Sequence, residues 1–170
     1  EYKAFAEYEA MADKHEYIDA VRVTKGDKQS IAKALAIYSG FTEGLQLFSS
    51  FIILLNFPRV GKMKGMGQII TYSIRDESMH VEAMTKLFRE FIKENVDIWT
   101  DDFKKEIYDA CREMVTLEDR FLDLVFEQGD IKGLTKQEMQ QYIRYIADRR
   151  LLQLGLKPNY KVKDNPLKWL

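Results

Sequence analysis

The chain has 170 residues and a mass of 20.0 kDa, and 46% of its residues are hydrophobic, enough for one domain with a substantial core. With 9 Gly and 3 Pro it lacks the material for a turn-rich β architecture, and a formal net charge of -1 implies no nucleic-acid or anionic-membrane patch. The single cysteine, Cys111, rules out an intramolecular disulfide and suits a reducing, cytoplasmic compartment.

No secretory signal or stop-transfer segment is visible. The chain opens at Glu1 on what reads as mid-helix and closes at Leu170 without a polar tail. We therefore expect residues 1–170 to be a single helical domain taken from something longer.

Residues 2–22 read as a first amphipathic helix, with Phe5, Tyr8, Met11, Ala12, His15 and Ile18 at helical spacing and Glu7, Asp13, Lys14 and Glu16 on the other face. His15 has no Glu three residues before it and is expected to be structural or on the surface. Thr24-Lys25-Gly26-Asp27 is a turn.

A second helix is predicted from about Lys28 to Phe57, where Pro58 should stop it. Between Lys33 and Arg59 its only charged residue is Glu43, set among Phe41, Leu45, Leu47, Phe48 and Phe51. A helix apolar nearly all round is buried nearly all round. It is not expected to span a membrane, because Phe51 to Leu55 is too short a run and Gln46, Ser49, Ser50 and Asn56 interrupt the rest. Glu43 is thus a lone carboxylate in a central helix. Either it is protonated or hydrogen-bonded as part of the structure, or a cation compensates it. Gly40, Gly44, Ser49 and Ser50 would let other helices pack closely around such a site.

The third helix, from about Lys64 or Met66 to Asn95, carries the stripe Ile70, Ile74, Glu77, Val81, Met84, Phe88, Phe91. Glu77 stands where a Leu would be expected, and His80 lies one turn on, beside the stripe. A Glu-x-x-His pair on a helix is the half-site that dinuclear carboxylate proteins build inside helix bundles. It also arises by chance, as a satisfied polar pair in a core. The short connection after Pro58 makes the second and third helices antiparallel neighbours. At about 1.5 Å per residue, Glu43 and Glu77 fall at similar heights from the turn.

A fourth helix is predicted from Asp101-Asp102 to about Gln128, with Glu106, Glu113, Glu118 and Asp119 read as a solvated face. Thr135 with Glu138 forms a capping box for a fifth helix that ends at Gly155. Its Asp148-Arg149-Arg150 either pairs internally or faces a partner. The remainder looks extended, with Trp169 suited to anchor it in a groove.

The ordered set Thr42-Glu43-Gly44, Asn56-Phe57-Pro58-Arg59, Lys64-Gly65-Met66-Gly67-Gln68 and Arg75-Asp76-Glu77-Ser78-Met79-His80 closely resembles the small, radical-generating subunit of class I ribonucleotide reductase. Tyr145-Ile146-Ala147-Asp148-Arg149-Arg150-Leu151 and the ending Asn165-Pro166-Leu167-Lys168-Trp169-Leu170 are similar to that family too. The resemblance implies an all-α, ferritin-like bundle, here incomplete with about five helices. It implies a dinuclear cluster of iron, or of manganese alone or with iron, that activates dioxygen to make a stable radical, usually on a tyrosine. A large subunit then uses that radical to make deoxyribonucleotides.

By the same resemblance, Glu43, Glu77 and His80 match the ligands of the second half of the cluster. Asp76 matches an acid on the radical route behind the metal, and Leu47 and Phe51 match the apolar pocket beside the radical. The remaining ligands, the radical residue and the docking tail would lie outside this chain. The implied partners are the missing N-terminal half, a second copy in a homodimer, and the large subunit. Read from the residues alone, a ferritin-like di-iron oxidase or oxygenase, or a metal-free helical scaffold, remains open.

Overall fold

The computed structural model describes residues 8–170. Within them the chain is helical, with no strand among the described residues. Helix α1 is Glu9–Asp19, α2 is Lys28–Arg59, α3 is Lys64–Glu94, α4 is Asp101–Glu127 and α5 is Lys136–Gln153.

Helix α1 is shorter than the sequence pattern suggests. It closes at Ala20, after which Val21, Val23 and Thr24 are β-branched and favour extended backbone. Phe5 and Glu7, placed on its early turns from the sequence, lie outside the described residues. No residue of α1 is buried. The helix rests on α4, where Arg120 Nη1 donates to Asp13 Oδ2 at 2.6 Å. His15 is exposed and lies 3.0 Å from Asp19.

Helix α2 is the centre of the bundle and is not one regular helix. It starts as α-helix (Lys28–Leu35), capped by the Asp27 carboxylate, which accepts from the Gln29 N–H at 3.1 Å. It widens to π-helix over Ala36–Gln46 and returns to α-helix over Leu47–Arg59. The π segment packs against α3, α4 and α5 together. Ile37, Phe41 and Leu45 are completely or almost completely buried in the core. By length and composition α2 could cross a membrane, but half of its most apolar stretch is buried inside this bundle.

Pro58 does not stop α2 where its sequence position suggests. It sits inside the last turn, and α2 runs on to Arg59. In the last turn the missing N–H costs a single helical bond, and Gly67 leaves room for the ring, since a Cβ there would meet Pro58 Cγ at 2.2 Å. The ring therefore fits only because α3 presents no side chain. The same end of α2 is pinned to the turn before α5. Asn56 Nδ2 donates to the Lys132 carbonyl at 2.9 Å, Arg59 Nη1 donates to the Gly133 carbonyl at 2.6 Å, and the Arg59 guanidinium covers the Trp169 ring at 4.7 Å.

Helix α5 begins on the expected capping box, with Thr135 and Glu138 bonded reciprocally, and closes at Gly155 with φ +83°. Asp148, on α5, is buried. Its carboxylate accepts three main-chain N–H groups, from Asn159 (2.7 Å), Tyr160 (2.8 Å) and Val162 (2.9 Å). Hydrogen bonds to a charged group contribute roughly 1.5–3 kcal/mol each, so one side chain fixes the irregular C-terminal segment on the bundle. Leu167 is buried at its far end.

Glu118 corrects the sequence reading most sharply. It is not on a solvated face but wholly buried, paired with Lys14 of α1 and accepting from the Ser49 hydroxyl of α2. Its sequence neighbours are charged, so periodicity hides the fact that α1 and α2 close over it. Glu106 is half-buried against Lys33 at 2.8 Å, Asp119 is paired with Arg144 at 2.6 Å, and Glu113 stays exposed.

Burial pushes the Glu118 carboxyl above its ordinary value, and Lys14 and Ser49 only partly oppose this. A raised acid binds its proton more tightly folded than unfolded. Its stabilising contribution is therefore complete below the ordinary value of about 4.5 and declines as pH rises through the raised one. Urea titrations from pH 4 to 8 should show wild type losing stability relative to Glu118→Gln as pH rises. A pH-independent difference would contradict this account of Glu118.

Candidate metal centre

Helices α2 and α3 run antiparallel from the turn at Val60–Met63, and their facing sides carry the site. Glu43 comes from the π segment of α2, and Glu77 and His80 come from consecutive turns of α3. Their ligand atoms all lie within 4.8 Å of one another. The similar heights expected from counting residues are thus what the backbone delivers. Glu77 Oε2 is 3.5 Å from His80 Nδ1.

The site is only partly covered. Glu43 is half-buried and the Glu77 side chain is 25% exposed, whereas the His80 side chain is 63% exposed. The stripe around Glu77 is partly covered, with Val81 and Phe88 buried and Ile74, Met84 and Phe91 half-buried. On the open side of α3, Ile69, Tyr72, Met79 and Leu87 are all at least half exposed.

Asp76 points to that open side, with its side chain 53% exposed and 3.6 Å from Arg75 Nε. Leu47, one turn beyond Glu43, is 37% exposed. Phe51 is half-buried and packs edge-on against Phe48 at 5.8 Å. The structure therefore brings Glu43, Glu77 and His80 together, with Leu47 a turn away on the same helix. It leaves Asp76 in solvent.

The donor set fits a divalent cation. Two carboxylates and an imidazole converge, and among the described residues no lysine or arginine pairs with Glu43 or Glu77. Two carboxylates this close repel each other, and a cation relieves the repulsion while using the imidazole as a third donor.

Two features of the site were not legible from the sequence. One is the π segment itself, in a position where such distortions frequently accompany function. The other is Arg150 of α5, expected to pair internally or to meet a partner. It is buried, and its Nε donates to the Gly44 carbonyl at 2.7 Å, next to Glu43. Burial lowers its guanidinium to about 10, so it remains a cation at neutral pH. The signal in the sequence was the pair Gly40 and Gly44. A Cβ at Gly40 would lie 3.2 Å from Leu154, and one at Gly44 would lie 2.7 Å from Arg150 Nε. Two glycines spaced by four thus admit two side chains also spaced by four, Arg150 of α5 and Leu154 at its C-terminal cap.

Replacing Glu77 with Leu separates a ligand from a structural polar pair. Manganese(II) affinity should fall about tenfold or more, because a donor is removed directly, while the metal-free protein should melt no lower. Unchanged metal affinity would mean that Glu77 is not a ligand.

Residues 1–166 match the family model for the small chain of ribonucleotide reductase. A probable ribonucleoside-diphosphate reductase small subunit of Invertebrate iridescent virus 3 is 43% identical, over 99% of this chain and 49% of that protein. The ribonucleoside-diphosphate reductase subunit beta of Chlamydia pneumoniae is 35% identical, over 89% of this chain and 43% of that protein. Among solved structures, the ribonucleotide reductase R2 subunit from Clostridium botulinum superposes with a TM-score of 0.91 at 26% identity, over 99% of this chain and 54% of that one. A putative class I ribonucleotide reductase from Bacillus halodurans gives a TM-score of 0.89 at 27% identity, over 97% and 60%. The expected ferritin-like helical fold is the one observed. The chain spans about half the length of the curated relatives it matches.

Proposed function

Because the chain belongs to the ribonucleotide reductase small-chain family, we propose that it contributes one half of the dinuclear metal site of a class I ribonucleotide reductase small subunit. The observation that carries this is the convergence of Glu43, Glu77 and His80 within 4.8 Å on the open flank of the bundle. These three residues would hold one metal of the pair, and ligands from the N-terminal half would hold the other. When bound, the pair, iron or manganese, supplies the electrons that turn dioxygen into the oxidant for a stable radical.

The chain's own residues do the rest. Glu43 and Glu77 supply charge that neutralises the metals, and His80 supplies a neutral donor. Leu47 and Phe51 keep water from the neighbourhood of the radical, which survives only where reductants are excluded. The exposed Asp76 carboxylate would accept a hydrogen bond from the histidine that the other half contributes, giving protons and electrons a route outward. The family's usual setting supports three further readings: a homodimer, a large subunit that receives the radical, and a cytoplasmic location. Three ligands do not suffice for two metals, so the chain alone is expected to be inactive.

Elemental analysis after anaerobic iron loading tests this. The chain on its own should hold at most one weakly bound iron, and the chain mixed with the N-terminal half of the subunit about two per complex. Two irons and a radical on the isolated chain would refute the half-site. No iron in either sample would leave Glu43, Glu77 and His80 as a structural polar network or point to a different metal such as manganese.

A further inference from the structure

The π segment that carries Glu43 receives one side-chain hydrogen bond from α5 at the residue next to that ligand. Arg150 reaches from α5 with three restraints on one guanidinium. Its Nε donates to the Gly44 carbonyl at 2.7 Å, its Nη1 donates to Gln153 Oε1 at 2.8 Å, and its plane lies 5.0 Å from the Phe48 ring centre. Among the described residues no carboxylate pairs with it, although it is only 8% exposed. A buried cation without a counter-ion is costly. Here the charge is spent on a main-chain carbonyl, and that carbonyl belongs to the residue after Glu43.

The need for such a donor follows from helix geometry. Where i→i+5 bonding returns to i→i+4, one carbonyl near the end of the π segment is skipped by the backbone ladder. The segment Ala36–Gln46 ends two residues beyond Gly44. An outside donor that satisfies a carbonyl there favours the π register over the α register. The register matters for the ligand, because one residue of α-helix is about 100° of rotation. Reversion to regular α-helix would swing Glu43 away from the face it shares with Glu77 and His80.

We propose that Arg150 is a positioning residue, which holds the π register of α2 through the Gly44 carbonyl and so keeps the Glu43 carboxylate beside Glu77 and His80. Gly44 is the matching half of the device. A Cβ there would lie 2.7 Å from Arg150 Nε and 2.9 Å from the Ser39 carbonyl, so only glycine admits the arginine. The proposal rests on the metal-ligand reading of Glu43, Glu77 and His80 for its effect on affinity, but not for its effect on geometry.

The test uses the intact protein, with manganese(II) binding followed by electron paramagnetic resonance and with crystal structures of the variants. Arg150→Met keeps the apolar stem over Phe48 and removes the donor. Gly44→Ala evicts the arginine by sterics. Each should weaken manganese(II) binding about tenfold or more, and the double variant should be no worse than either single one, because both break one contact. Arg150→Lys, which retains a cation and a donor, should recover part of the loss. Should Arg150→Met fail to fold, Gly44→Ala and Arg150→Lys make the same comparison.

Affinities within twofold of wild type in the variants would overturn the proposal. So would variant structures in which Glu43 stays in place beside Glu77 and His80. If wild type itself takes up no manganese, the metal reading fails. The structures then decide the positioning role alone: displacement of Glu43 upholds it and an unmoved Glu43 overturns it.

Discussion

The widened turns of α2 between Ala36 and Gln46 set which side chains face α3, α4 and α5. They carry Ile37, Phe41 and Leu45 into the core on one side, Gly40 and Gly44 against α5 on another, and Glu43 toward α3 on a third. A regular α-helix of the same sequence would not present all three sets to the same neighbours. Close packing then leaves little freedom, since the glycines are already within van der Waals reach of α5 side chains.

Polar groups in this bundle divide into two kinds. Asp148, Arg150 and Glu118 are buried and each is provided for: three main-chain N–H groups, a main-chain carbonyl with an aromatic face, and a lysine with a serine. They fix the C-terminal segment, the π segment and α1 respectively. Glu43 and Glu77 are half-buried, adjacent and, among the described residues, without a lysine or arginine partner. That contrast sets the structural ionic groups apart from the proposed ligands better than burial alone does. The most buried carboxylate among the described residues, Glu118, is a structural one. The same site lies on the flank where Ile69, Tyr72 and Met79 are exposed, which is the side that the proposed completing half would cover.

Much of this was legible because helical periodicity is strong here. The five helices, the capping box at Thr135 and the stop at Gly155 all follow from spacing and cap chemistry. Glu43 and Glu77 were visible because each interrupts an apolar pattern. Glu118 was invisible for the opposite reason: its neighbours Asp119 and Arg120 are charged, and only the tertiary arrangement shows that two helices cover it. The π segment left no mark because apolar residues spaced by four fit α and π helices alike. Pro58 misled because its tolerance depends on Gly67, a residue on another helix. Asp76 was singled out by resemblance alone, and the chain leaves it beside Arg75 in solvent.

The central claim is that Glu43, Glu77 and His80 are ligands of one metal. The most direct measurement is anomalous diffraction at the iron edge from crystals of the intact protein loaded with iron. The account predicts a peak within bonding distance, about 2.0–2.2 Å, of side-chain atoms from all three residues. Peaks that avoid these residues, with Glu43 and Glu77 bonded instead to protein groups, would contradict it.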